Sequence, residues 1–274
     1  MSLPAVLLVL AAAVVHALWN RSVHAGEDRL AVMAVSSLGA GVLLSPAVAL
    51  APPTTVWPFV LASGVVEAVY GVLLAGAYAR GSIAVAYPVG RGTAPLLVTL
   101  GGWVALQQRP STGAVLGAVA VGGGLVVVAT AARRWQQLPA VGWAVATGVA
   151  IATYSVIDAG AVTRLSGPLA AAGYIGVGMG VQGLLLTALV VRSGRTGADR
   201  LTAVGLSGLG VALGVVTAYL AVVVAFQLAP AGRVSTLRES SVLVAVALSA
   251  QRRQPVVWFG AALVVAGALL SAFG

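Results

Sequence analysis

Short breaks rich in charge, proline or glycine divide this chain into apolar segments of about 20 residues, the length that crosses a hydrocarbon core. Ten are read, at roughly 3–22, 30–50, 57–79, 82–106, 113–131, 139–159, 168–191, 203–226, 229–250 and 256–273. The breaks read HAGEDR, APPTT, ARGS, QQRPST, ARRWQQLP, TRLSGP, RSGRTGADR, LAP and QRRQP. None is long enough to hold a soluble domain. A membrane barrel would instead need alternating segments of about ten residues. Composition agrees: 60% of residues are hydrophobic and only 8% charged, against about a quarter charged in soluble domains. The expected class is an all-α integral membrane protein, multi-pass in the cell membrane of a bacterium.

The net charge of +9 does not point to nucleic acid here. The arginines fall mostly between apolar segments, as membrane-flanking charges do. All 15 basic residues are arginine. The absence of cysteine excludes disulfides and thiolate chemistry. Two histidines, His16 and His24, are too few for a histidine metal cluster. There is no HExxH motif and no convincing Ser/His/Asp set, so neither an enzyme nor a cofactor is expected. The run Gly122-Gly123-Gly124 lacks the following lysine of a phosphate loop. The first segment has no basic residues before its apolar run and reads as a retained helix.

The two halves, 1–132 and 133–274, resemble each other. His16, Trp19 and Asn20 of the first segment line up with Tyr154, Ile157 and Asp158 of the sixth; Tyr70 lines up with Tyr219, and Arg91 with Arg238. Five helices per half is an odd number, so the second copy enters the membrane from the opposite side. The expected architecture is therefore ten transmembrane helices as two inverted five-helix repeats, with a site at their interface. Ten loop arginines (21, 29, 80, 133, 134, 192, 195, 200, 252, 253) lie on one side, against Arg109, Arg164 and Arg233 on the other. This bias puts the first set in the cytoplasm and both termini outside.

Ionisable residues inside apolar segments are costly and therefore candidates for function. Five qualify: Glu67, Arg91, Asp158, Arg238 and Glu239. Glu67 has Tyr70 one turn on, and reads either as a coupling carboxylate or as a partner of Arg91. Arg91 stands in AYPVGRGTAP, with Tyr87 and Pro88 before it and Pro95 after it. Each proline removes a backbone donor, which predicts a bend beside a polar interior. Ser235 and Arg238 share a face, whereas Arg238 and Glu239 point about 100° apart. Asp158 reads as functional, or as a partner of water or Arg164 near a helix end. Trp57, Trp103, Trp135, Trp143 and Trp258 read as interface anchors. The pairs Gly113/Gly117, Gly176/Gly180 and Gly210/Gly214 read as close helix contacts within the monomer.

The stretches HALWN, EAVYGVLLAGAYARGSIAVAYPVGRGTAPLLV, ATYSVIDAG and APAGRVSTLRESSVLVAV occur in this order. On them the chain resembles the drug/metabolite transporter superfamily, EamA-type, over nearly its whole length. The resemblance implies two five-helix inverted repeats and carriage of small metabolites by alternating access. It also implies a cavity lined by helices 1, 3, 4, 6, 8 and 9. Many members carry a glutamate at the ends of helices 4 and 9, where this chain has Gln108 and Gln251 or their neighbours. Members with cytoplasmic termini are also common, contrary to the arginine bias.

The expectation is a secondary transporter, an exporter or permease for a small polar metabolite such as an amino acid. Its pathway would use His16, Trp19, Asn20, Glu67, Tyr70, Tyr87, Arg91, Tyr154, Asp158, Tyr219, Ser235, Arg238 and Glu239. Its partners would be the solute, the bilayer and a proton or another coupling ion, with no nucleic acid, in a monomer or homodimer. The competing expectation is a membrane partner or assembly protein whose buried charges only lock helices together.

Overall fold

A computed structural model describes residues 1–25, 28–80, 83–130, 138–193, 196–247 and 254–274. Arg133, Arg134, Trp135, Arg195, Gln251, Arg252 and Arg253 lie outside the described residues. Helices follow one another as α1 (Leu3–Ala25), α2 (Arg29–Leu43), α3 (Ser45–Leu50), α4 (Trp57–Arg80), α5 (Ile83–Leu106), α6 (Thr112–Thr130), α7 (Leu138–Val162), α8 (Gly167–Arg192), α9 (Gly197–Leu228), α10 (Ala231–Arg238), α11 (Ser241–Ala247) and α12 (Pro255–Phe273). Among the described residues there is no strand.

Seven segments among them are long and apolar enough to cross a membrane: Leu3–Asn20, Thr54–Arg80, Thr112–Ala129, Ala140–Val162, Gly167–Arg192, Gly197–Leu228 and Pro255–Phe273. The chain is thus an all-helical, multi-pass protein of membrane type. The other three expected spans take different forms. The segment 30–50 is divided at Leu44 into α2 and α3, 82–106 is the unbroken α5, and 229–250 is divided after Arg238 into α10 and α11.

The helices are oriented as lipid-facing helices are. α4 turns Leu61, Val65 and Val69 outward and buries Ser63, Gly64, Glu67 and Gly71. α1 exposes Leu3, Leu7, Leu10, Val14 and Leu18 along one side. An apolar exterior around a partly polar interior suits a solvent of hydrocarbon, where polar groups must be satisfied inside the protein.

The principal packing pairs are α1 with α9, α4 with α7 and α8, α2 with α8 and α9, α5 with α6, α7 and α10, and α12 with α6 and α10. The α6–α12 contact is made backbone to backbone. A Cβ added at Gly267 would lie 2.6 Å from the Gly117 carbonyl oxygen, and one at Gly124 would lie 2.6 Å from that of Gly260. Gly113 faces Gly274 in the same seam. Gly176 packs on Leu44 and Val48, whereas in the third small-residue pair Gly214 meets Trp19 and Gly210 faces open space.

Pro88 and Pro95 both lie inside α5, which continues through them. Thr99 donates to the Pro95 carbonyl at 2.8 Å. The abrupt change of backbone falls in α9, where Gly205 adopts φ 49° and ψ −140°. Such a left-handed φ suits a residue without a Cβ.

At one end of the bundle, Asp28 caps α2 by accepting from the Ala31 N–H at 3.1 Å. The same carboxylate accepts from Arg200 Nε at 2.5 Å, and Arg200 Nη1 donates to Ser193 Oγ at 2.5 Å. This ties the start of α2 to the end of α8 and the start of α9. The Arg200 hydrogen bond is the main reason the Asp28 carboxyl is held below its usual range. Nearby, Arg80 stacks on Trp143, its Cζ 4.2 Å from the ring centroid. Trp57, Trp103 and Trp258 are exposed on the bundle surface.

Candidate functional site

Helical periodicity brings residues three and four apart onto one face, and four such faces converge. α1 contributes His16 and Trp19, α4 contributes Glu67 and Tyr70, α7 contributes Tyr154, and α9 contributes Tyr219. With Arg238 from α10 they line a cavity of about 90 Å³. Ser36, Ser37 and Gln182 add polar groups, and Met33, Met179, Val215 and Val222 add apolar ones. A single water needs roughly 10–15 Å³ of such space, so this cavity holds several waters or one small solute.

The aromatic wall is packed edge to face. Tyr154 meets Tyr70 at 5.9 Å and Tyr219 at 6.4 Å between ring centroids. His16 and Trp19 meet likewise at 4.7 Å. Such arrangements match the positive ring edge of one group to the negative face of another.

Beyond His16 and Tyr70, which border both spaces, lies a second pocket of about 10 Å³, room for one water. Asn20, Tyr87 and Arg91 line it, with Tyr78 and Thr147. The sequence candidates therefore divide between two adjoining spaces.

Arg91 does not pair with Glu67. Its Nε donates to Glu239 Oε2 at 2.8 Å, and both side chains are buried. The difference follows from helix geometry. Adjacent residues diverge by about 100°, so Arg238 turns to the cavity while Glu239 turns to α5. Arg91 Nη2 and Glu239 Oε1 are buried without a partner among the described residues.

Asp158 does not pair with Arg164. α7 continues past it to Val162, and Asp158 is fully buried, outside the residues that line the cavity. It accepts from Ser63 Oγ at 2.5 Å, from Tyr174 OH at 2.7 Å and from Tyr219 OH. Arg164 instead lies over the Phe59 ring, 4.4 Å from its centroid. Three hydroxyl donors stabilise a buried carboxylate in place of a cation. Tyr219 thus belongs both to the cavity wall and to the Asp158 cluster.

Ser235 is buried away from the cavity lining, and its Oγ has no partner among the described residues. Arg238 is 5% exposed, and its Nε and Nη2 likewise have none. The same holds for Trp19 Nε1. Gln108, where the resemblance implies a glutamate, accepts from the Ala231 N–H at 2.9 Å and so anchors the start of α10.

Sequence reasoning overlooked Ser63, Tyr174, Ser36, Ser37 and Gln182. Gln182 was visible as the lone amide in GMGVQGLLL. Its Nε2 donates to the Glu67 carbonyl at 3.1 Å, and its Oε1 accepts from Ser37 at 3.0 Å, joining α8 to α4 and α2. Serines carry no comparable signal, since most act as ordinary interhelical hydrogen-bond donors.

No family model and no curated protein matches the sequence. Among solved structures, one described simply as a crystal structure of a protein superposes with a TM-score of 0.64 at 19% identity. The superposition covers 97% of this chain and 95% of the other. At that identity the likeness is one of fold, and it extends over nearly the whole of both chains.

Proposed function

We propose that the chain is a secondary transporter that moves a small polar metabolite, such as an amino acid or a related solute, across a bacterial cell membrane. The observation that carries this reading is the central cavity. Its walls come from α1, α2 and α4 of the first half and α7, α8, α9 and α10 of the second, and it gathers Glu67, Arg238, His16 and three tyrosines. Ionisable groups inside a bilayer typically mark solute or ion pathways.

The inverted-repeat reading of ten spans is supported by packing. Let α1 exchange with α7, α2 and α3 with α8, α4 with α9, α5 with α10 and α11, and α6 with α12. The α1–α9 pair then becomes α7–α4, α2–α9 becomes α8–α4, and α5–α7 becomes α10–α1, all of them observed contacts. The α2–α8, α6–α12 and α5–α10 pairs map onto themselves. The resemblance to EamA-type transporters draws on the same residues. In this reading Glu67 is the coupling carboxylate for a proton or another ion.

A second reading, a membrane partner with purely structural charges, draws on the Arg91–Glu239 pair, which ties α5 to the α10–α11 break. Net uptake driven by an imposed proton or ion gradient in proteoliposomes decides between them. Transport predicts uptake of a radiolabelled small polar solute by the wild type and its loss in Glu67→Gln protein that remains folded. Absence of flux for every solute tried, or unchanged flux in Glu67→Gln, would overturn the reading or its site.

A further inference from the structure

The Arg238 guanidinium is the charged cavity group, among the described residues, with two neighbouring donors left unpaired. Nε and Nη2 flank the same side of the guanidinium plane and together form its side-on fork. Both are buried without a partner among the described residues, and Arg238 lines the cavity. Leaving such donors unsatisfied in a buried site is costly. A guanidinium fork matches the two oxygens of a planar carboxylate, which it binds through two parallel hydrogen bonds.

The surroundings limit the anion. The other buried cation, Arg91, lines the second pocket and is already bonded to Glu239. Glu67 shares the cavity with Arg238, and Asp158 lies behind Tyr219. Among the described residues Arg238 is the one arginine lining the cavity, and the Glu67 carboxylate beside it disfavours a dianion. The space of about 90 Å³ admits only a small molecule, and Met33, Met179 and Val222 offer its remainder an apolar surface.

We infer that Arg238 receives a small organic carboxylate, whose two oxygens accept from its Nε and Nη2 once that closed-off edge of the guanidinium turns into the cavity it lines. The inference deepens the transport reading and rests on it for the cavity's purpose. The carboxylate belongs either to a simple monocarboxylate or to a zwitterion whose ammonium faces Glu67 and the tyrosine rings.

The test compares acids with their amides on the purified full chain. Propionate against propionamide, and L-alanine against L-alaninamide, are added at about 10 mM while thermal unfolding is followed. In at least one pair the acid raises the midpoint and the amide does not; which pair responds tells monocarboxylate from zwitterion. Arg238→Lys keeps the charge but lacks the fork, and raises the half-saturating concentration about tenfold or more. The acid–amide comparison uses the unaltered chain, so it stands even where that variant does not fold. Equal shifts from acid and amide, no shift from either acid, or undiminished binding by folded Arg238→Lys would overturn the inference. Carboxylate binding without flux in proteoliposomes would keep it and remove the transport reading. Flux of an uncharged solute untouched by Arg238→Lys would do the reverse.

Discussion

Arg91 and Glu239 lie 148 positions apart and meet through one hydrogen bond, Nε to Oε2 at 2.8 Å, with the second arm of the pair unmade. Removing one member of a buried pair strands the other charge, which costs about 3–5 kcal/mol. Replacing both with apolar residues of similar volume is often nearly neutral. Arg91→Met and Glu239→Met should each lower the melting temperature strongly, and the double variant should recover most of the loss. Additive losses in a double-mutant cycle would show that the two side chains do not depend on each other.

Asp158 organises three helices through its hydroxyl donors Ser63, Tyr174 and Tyr219. An asparagine there offers one acceptor oxygen and sets an amide donor against at least one hydroxyl. Asp158→Asn is expected to destabilise by about 1–3 kcal/mol, as for a buried donor left unpaired. Thermal unfolding in detergent checks this, and an unchanged or raised midpoint would contradict the cluster.

Two glycines make a matched comparison. A Cβ at Gly267 would stand 2.6 Å from the Gly117 carbonyl oxygen, whereas one at Gly123 meets nothing within 4 Å. Gly267→Ala should therefore cost about 1–3 kcal/mol through overpacking of the α6–α12 seam. Gly123→Ala should be neutral or slightly stabilising, since alanine favours helix over glycine by about 1 kcal/mol. Equal melting temperatures for the two variants would argue against the close contact.

Much of this architecture was legible from segment length and hydropathy, because the bilayer fixes how long an apolar helix must be. The ends of α4, α5 and α8 fall within a few residues of expectation. The division of 229–250 into α10 and α11 did not show, since apolar residues continue across Arg238-Glu239-Ser240. Cavity candidates such as Glu67, Tyr70 and Arg238 stood out as polar groups in apolar runs. Their partners did not, because a sequence gives the direction of a side chain on its own helix but not the helix it meets. That is why Arg91 was offered Glu67 and found Glu239, and why Asp158 was offered Arg164 and found three hydroxyls.

Outside the spans, Arg200 keeps the Asp28 carboxyl below its usual range, first through their hydrogen bond. A carboxylate lowered in the folded state contributes stability that is present above its ordinary pKa of about 3.9 and is lost as pH falls through the folded value. Wild type should therefore lose melting temperature more steeply than Asp28→Asn between about pH 5 and pH 3. Asparagine keeps the helix cap, which isolates the ionic part. Parallel curves for the two proteins would contradict the assignment.

The central claim is that the cavity is a solute path reached from both sides of the membrane, and the absence of cysteine makes it directly measurable. Ser36 lines the cavity, and Ser36→Cys would supply the chain's single thiol. In oriented vesicles, a membrane-impermeant maleimide applied to either face should label that thiol, at rates that change when a transported solute is present. A thiol that stays unlabelled from both faces in folded protein would mean a sealed interior and would contradict the transport account.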